Sequence, residues 1–112
     1  MKTNISIKGI HEHEAEKSQA LRNYIEDHLK HIDMLLKYVQ EPIFMDITLD
    51  VLKTHHHHVC DVRIHGPHGF EIVVKKEDPE MYKAIDKCLD VVNEEIVRYK
   101  QKQVDIKKTG GF

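Results

Sequence analysis

A chain of 112 residues with 40% hydrophobic content and a formal net charge of -2 is sized for one domain with one modest core. No apolar run approaches the ~20 residues that span a bilayer, and the opening MKTNISIKGIHEHE lacks the continuous apolar stretch of a secretory signal. The near-neutral balance does not announce a nucleic-acid binder, but ten histidines would add positive charge beside a polyanion, which favours the protonated ring.

Along the chain, Asn4 to Lys8 alternates, with Ile5 and Ile7 on one face, and predicts a short strand. A polar stretch, GIHEHEAEK, separates it from a first helix over 18–38, with Ser18 as the N-cap. Leu21, Ile25, Leu29, Ile32, Leu36 and Val39 recur at helical spacing and form its apolar face. Pro42 prevents continuation. A second strand is expected over 43–53, with Ile43, Met45, Ile47, Leu49 and Val51 facing one way. His55 to His58 form a connection, and a third strand follows over 59–65, with Cys60, Val62 and Ile64 inward. Gly66 to Gly69 make a turn into a fourth strand over 70–76, with Phe70, Ile72 and Val74 inward.

Asp78 and Pro79 then mark a helix start: the carboxylate caps, and proline needs no N–H in the first turn. Tyr82, Ile85, Leu89, Val92, Ile96 and Tyr99 lie on one face of this second helix, which is expected to fade near Gln103. Residues 1–103 thus read as the domain and 104–112 as a flexible tail. Cys60 and Cys88 fall at inward positions and read as reduced core thiols in a reducing compartment, or less simply as a redox pair.

The order β-α-β-β-β-α, with alternating strands and two amphipathic helices, predicts an α+β two-layer sandwich. Its four-stranded mixed sheet carries both helices on one face, similar to the double-stranded-RNA-binding fold. The first helix is long enough to cross over between two parallel strands, and the remaining strands form an antiparallel meander.

Several segments carry a family resemblance. ALRNYIEDHL at 20–29, VLK at 51–53, IHGP at 64–67 and EDPEMYKAID at 77–86 are similar, in the right order, to segments of the short ribosome hibernation promoting factors, also called ribosome-associated inhibitors or sigma-54 modulation proteins. The resemblance implies a non-enzymatic, cofactor-free, cytoplasmic bacterial translation inhibitor, monomeric when free. It implies binding to the small ribosomal subunit and its rRNA in the mRNA and tRNA channel, in stressed or stationary-phase cells. It implies no membrane partner.

Carried over by position, Arg22 matches a basic site on the first helix and Lys53 the basic end of the second strand. Arg98, Lys100 and Lys102 match the basic end of the second helix. Lys87 is a further positive position on that helix. Basic side chains on solvent-facing positions suit phosphate contact. His28 and His31 stand where the family often carries lysine, so acidification is expected to strengthen their contact with phosphate. In the other direction, Asp86, Asp90 and Glu94 make an acidic strip on the second helix where relatives are often basic.

Two rival readings remain. One is a diverged paralogue that keeps the fold and binds a protein or another RNA. The other is a metal-binding protein using the histidine tract, where His55 and His57, as alternate residues, converge most easily. No carboxylate or cysteine at recognised ligand spacing completes such a site. No Gly-rich phosphate loop or nucleophile with a positioned base favours an enzyme.

Overall fold

The computed structural model describes residues 1–10, 14–51 and 57–109, with side-chain surroundings given as far as Lys102. The elements are β1 (Lys2–Lys8), α1 (Ala15–Leu35), β2 (Phe44–Val51), β3 (His58–His65), β4 (Glu71–Asp78) and α2 (Met81–Thr109). The four strands form one sheet in the order β1-β2-β3-β4. β1 runs parallel to β2, and β2, β3 and β4 are antiparallel neighbours. This is the expected β-α-β-β-β-α architecture.

The register shows why alternation produced one buried face. Ile5 pairs with Ile47, Ile47 with Val62, and Val62 with Val74, so one apolar row crosses the whole sheet. Leu49, Cys60 and Ile64 join the same inner face and are fully buried. Leu21, Ile25 and Ile32 of α1, and Ala84, Ile85, Cys88, Leu89, Val92 and Ile96 of α2, close the layer above it as one continuous core. Burying each Leu or Ile side chain stabilises the fold by roughly 1.5–3 kcal/mol relative to exposure.

Local chemistry shifted several boundaries. α1 begins at Ala15, one turn before the expected cap, and Ser18 lies inside it. Ala15 and Glu16 are good helix formers, and Lys17 Nζ reaches Glu14 Oε2 at 3.1 Å across the first turn. At the other end the α-helix stops at Leu35 and tightens into a 3-10 turn over Leu36–Tyr38. That turn keeps Leu36 in the core, while the Tyr38 hydroxyl donates to the Ile96 carbonyl at 2.6 Å and ties the end of the crossover to α2. α2 continues to Thr109, beyond the expected fade near Gln103.

Tyr82 departs from the expected apolar stripe. The phase of α2 is set by Met81, Ala84, Ile85, Cys88 and Leu89, all buried, which turns Tyr82 to the side, where it is 45% exposed. Asp78 performs as expected and ends β4 as well: its Oδ1 accepts from the Glu80 N–H at 2.9 Å. Gly9 is required where it stands. It has φ +85°, and a Cβ there would meet the Val51 carbonyl oxygen at 2.2 Å. The β3–β4 turn closes through Gly66 N–H to the Phe70 carbonyl at 2.9 Å, with His68 and Gly69 both left-handed.

Candidate nucleic-acid interface

The outer surface of the helix pair carries most of the sequence-predicted residues, and each engages a neighbour in its own way. Arg22 lies off the apolar stripe of α1 but is half-buried, and its guanidinium donates to the Ile5 carbonyl of β1 at 2.9 Å. It therefore ties the helix to an edge strand. Lys87, nearly two turns into α2, reaches back to the Asp78 carboxylate. Together with the Glu80 N–H, that ammonium holds the Asp78 carboxyl below its ordinary pKa, the Lys87 hydrogen bond being the larger cause.

The remaining cations sit in exposed pairs or alone. Arg98 Nη1 is 2.8 Å from Glu95 Oε1, one turn away, and Lys30 and Lys83 are similarly placed beside Asp27 and Glu80 at 3.9 and 3.4 Å. Lys100 lies two positions beyond Arg98, about 200° around the helix, and its ammonium is 5.5 Å from the Tyr38 ring centroid. Lys102 is exposed. Exposed ion pairs are worth about 0–1 kcal/mol, so Lys30, Lys83 and Arg98 can exchange carboxylate for phosphate at little cost. Arg22 and Lys87 are committed more firmly, because a main-chain carbonyl and a buried carboxylate would lose their partners.

Two of the predicted residues are brought together. His31 of α1 and Arg98 of α2 line one open groove between the helices, with Leu35, Glu94 and Val97 on its walls. His28 is drawn elsewhere. Its Nε2 lies 3.6 Å from Asp86 Oδ1, and its ring meets Tyr24 edge-on at 4.8 Å. The Tyr24 hydroxyl donates to the same Asp86 oxygen, and Tyr82 packs edge-on against Tyr24 at 4.8 Å. The hydrogen bond to Asp86, then burial and the nearby carboxylate charge, push the Tyr24 phenol up to about 12.

This Tyr24–Asp86–His28–Tyr82 cluster locks α1 against α2 and was not read from the sequence as a unit. Tyr24 and Asp86 are 62 positions apart. Only the displacement of Tyr24 from the apolar stripe hinted at a polar partner. Asp90 and Glu94 are exposed, so the acidic strip faces solvent as expected.

The histidine tract is only partly within view. Lys53 and His55 lie outside the described residues. His57 is exposed, with Nδ1 3.9 Å from Glu77 Oε1. Cys60 and Cys88 are fully buried and free, and the Cys88 thiol faces the Cys60 and Val74 carbonyls at 3.3 and 3.5 Å. Among the described residues, no helix is long and apolar enough to cross a membrane.

Comparison with known proteins adds sequence and fold likenesses. The family described as Sigma 54 modulation protein / S30EA ribosomal protein matches residues 6–104. A ribosome hibernation promoting factor of Azotobacter vinelandii is 26% identical over 93 residues, covering 83% of this chain and 81% of that protein. The Thermus thermophilus Protein Y N-terminal domain superposes with a TM-score of 0.64 at 22% identity, covering 88% of this chain and 99% of that one. A ribosomal subunit interface protein from Coxiella burnetii gives the same TM-score and identity, covering 90% of this chain and 99% of its own. These two structures share the fold.

Proposed function

Because the chain belongs to the Sigma 54 modulation protein / S30EA ribosomal protein family, we propose that it is a ribosome-binding hibernation factor that holds translation off in stressed or stationary-phase cells. Its partner on this reading is the small ribosomal subunit, approached in the channel that mRNA and tRNA otherwise occupy. The observation that carries the reading is the extent of the family match, which runs from within β1 through α1 and the sheet and into most of α2. The action is steric and needs no cofactor or reaction. A free monomer in the cytoplasm docks as a rigid wedge, and its cations replace counterions along the rRNA backbone.

The helix surface gives this docking a particular character. Arg98 and His31 share the inter-helix groove and Lys102 is exposed, so phosphate contact concentrates toward the C-terminal half of α2. Asp86, Asp90 and Glu94 oppose phosphate along the middle of the same helix. The test is sedimentation of the purified protein with ribosomes and with isolated small subunits. Co-migration that is lost on Arg98→Glu plus His31→Glu supports the reading. Protein that stays at the top of the gradient with both particles refutes it.

The acidic strip favours one second reading, a paralogue that kept the fold and turned this face toward a basic protein partner. In that case the charge reversals at Arg98 and His31 leave sedimentation unchanged, and reversal of Asp90 and Glu94 abolishes partner binding.

A further inference from the structure

The face of the sheet opposite the helices holds a feature that neither the helix reading nor the family match uses. Outward positions of a half-covered sheet are ordinarily polar. The outward row at one end reads Lys2, Phe44, His65 and Glu71, in register across all four strands. Phe44 is half-buried and His65 exposed, and their rings stack with centroids 5.2 Å apart and planes inclined by 22°. The Lys2 ammonium stands 6.0 Å from the Phe44 centroid. Beside them is an open recess of about 250 Å³, lined by Lys2, Thr3, Asn4, Phe44, Asp46 and His65.

We infer that this recess is a stacking site for one unpaired RNA nucleotide whose base bears an exocyclic amino group. Three observations converge on that occupant. First, the Phe44–His65 pair offers an aromatic surface, and stacking on such surfaces is how proteins hold unpaired bases. Second, the recess is electrically polarised. Lys2, with His65 when protonated, supplies positive charge for a phosphate, whereas Asp46 supplies a carboxylate. Third, Asp46 is the one carboxylate side chain lining the recess, and Asn4 stands beside it, paired in register across β1 and β2. A carboxylate there accepts from an amino group on the base edge and repels a carbonyl, so adenine, cytosine and guanine fit better than uracil.

Glu71 lies opposite His65 and tempers the positive pole, which then rests on Lys2, whereas Arg63, opposite Asp46, is drawn to Asp61 Oδ1 at 3.4 Å. The site stands independently of the helix face, since the sheet separates the two. A protein docked by its helices would thus keep a second surface for single-stranded RNA.

The experiment is fluorescence anisotropy of short labelled single-stranded RNA oligomers of A, C or U with the full chain. The A and C oligomers should bind more tightly than U. Phe44→Leu, which keeps apolar bulk and removes the π-face, should weaken binding about fivefold or more, and Phe44→Tyr should restore it. Asp46→Asn should shrink the preference over U, and Lys2→Ala should weaken all oligomers alike. Circular dichroism and unfolding curves confirm that each variant is folded, and Asp46→Asn and Lys2→Ala keep the question decidable if Phe44→Leu is not.

Oligomers that fail to bind, or that bind without regard to Phe44 and base type, overturn the inference. So does binding that falls with Arg98→Glu and not with Phe44→Leu, which places the RNA on the helices. The ribosome sedimentation is read separately. Protein that pellets with ribosomes and ignores the oligomers sinks this inference alone, and the reverse pattern sinks only the hibernation reading.

Discussion

Reversing the acidic strip, by Asp90→Lys plus Glu94→Lys, should strengthen ribosome binding. Both side chains are exposed one helical turn apart on the outer face of α2, so neither swap disturbs the core, and folding stability should stay within about 0.5 kcal/mol. The two changes move the net charge from -2 to +2, each substitution adding two. Suppose each position faces one phosphate at about 6 Å. The pair energy in water is then about 0.7 kcal/mol, and near-physiological salt cuts it to about 0.3 kcal/mol. Reversal removes a repulsion and installs an attraction, which doubles the swing at each site. Two sites therefore give about 1.3 kcal/mol, or roughly tenfold in affinity.

The assay is co-sedimentation with small subunits at near-physiological salt and again at about 1 M salt, where the Debye length of ~3 Å should reduce the gain to about twofold. An unchanged affinity at the lower salt would show that this face does not meet rRNA. A weaker affinity would be more damaging still, because it would mean the carboxylates themselves make the contact.

Other consequences concern the interior and the inter-helix cluster. In a spectrophotometric titration Tyr24 should ionise near pH 12, and Asp86→Asn should bring it back toward the ordinary 10; Tyr38, raised chiefly by burial, will lag in both proteins and serves as the internal reference. Because Tyr24 is raised by folding, the stability it contributes is complete below pH 10 and is lost as pH climbs through 12. Asp78 works in the opposite sense: its depressed carboxyl adds stability above its ordinary 3.8, lost as pH falls through the lower folded value. Urea unfolding across acidic pH should therefore show a shallower acid limb for Asp78→Asn than for the parent, and parallel limbs would contradict the cap and the Lys87 pairing. Cys60 and Cys88 are fully buried, and the hydrogen bond with Cys88 together with burial raises the Cys60 thiol. A thiol reagent should modify neither in the native protein and both in denaturant, whereas rapid native labelling would show that the core opens.

The fold was legible because its signals are short-range. Alternation at period two across Ile43 to Leu49 and Phe70 to Val74 exposes its buried face without any knowledge of partners, and the Asp78–Pro79 start of α2 is written in adjacent residues. Tyr82 was misplaced because an aromatic at the edge of a helical stripe fits either side of it. The phase is decided by small residues, Ala84 and Cys88, whose burial periodicity alone does not weigh heavily. The candidate site was less legible for a different reason. What a cation does depends on the acceptor the fold brings to it. Arg22 meets the Ile5 carbonyl 17 positions away, and His28 meets Asp86 across two helices. Neither encounter has a local signature. Phe44 falls at an outward position in series with Asp46, Thr48 and Asp50, and its meaning depends on His65 beside it, from another strand.

The length of α2 has a consequence for how the molecule moves in solution. A helix of 29 residues is about 44 Å long, and the molecule measures 59 × 24 × 20 Å. A rod of that length cannot lie across the two short dimensions, whose diagonal is only about 31 Å, so α2 must run close to the long axis. The radius of gyration, 15.9 Å, accordingly exceeds the ~13 Å of a compact chain of this size. Rotational diffusion is therefore anisotropic: amide vectors in α2 lie along the slow-tumbling axis, and those that bridge strands report a mixture of axes. Solution scattering and backbone relaxation would both register unwinding of the C-terminal turns, without a label and with no ribosome in the tube.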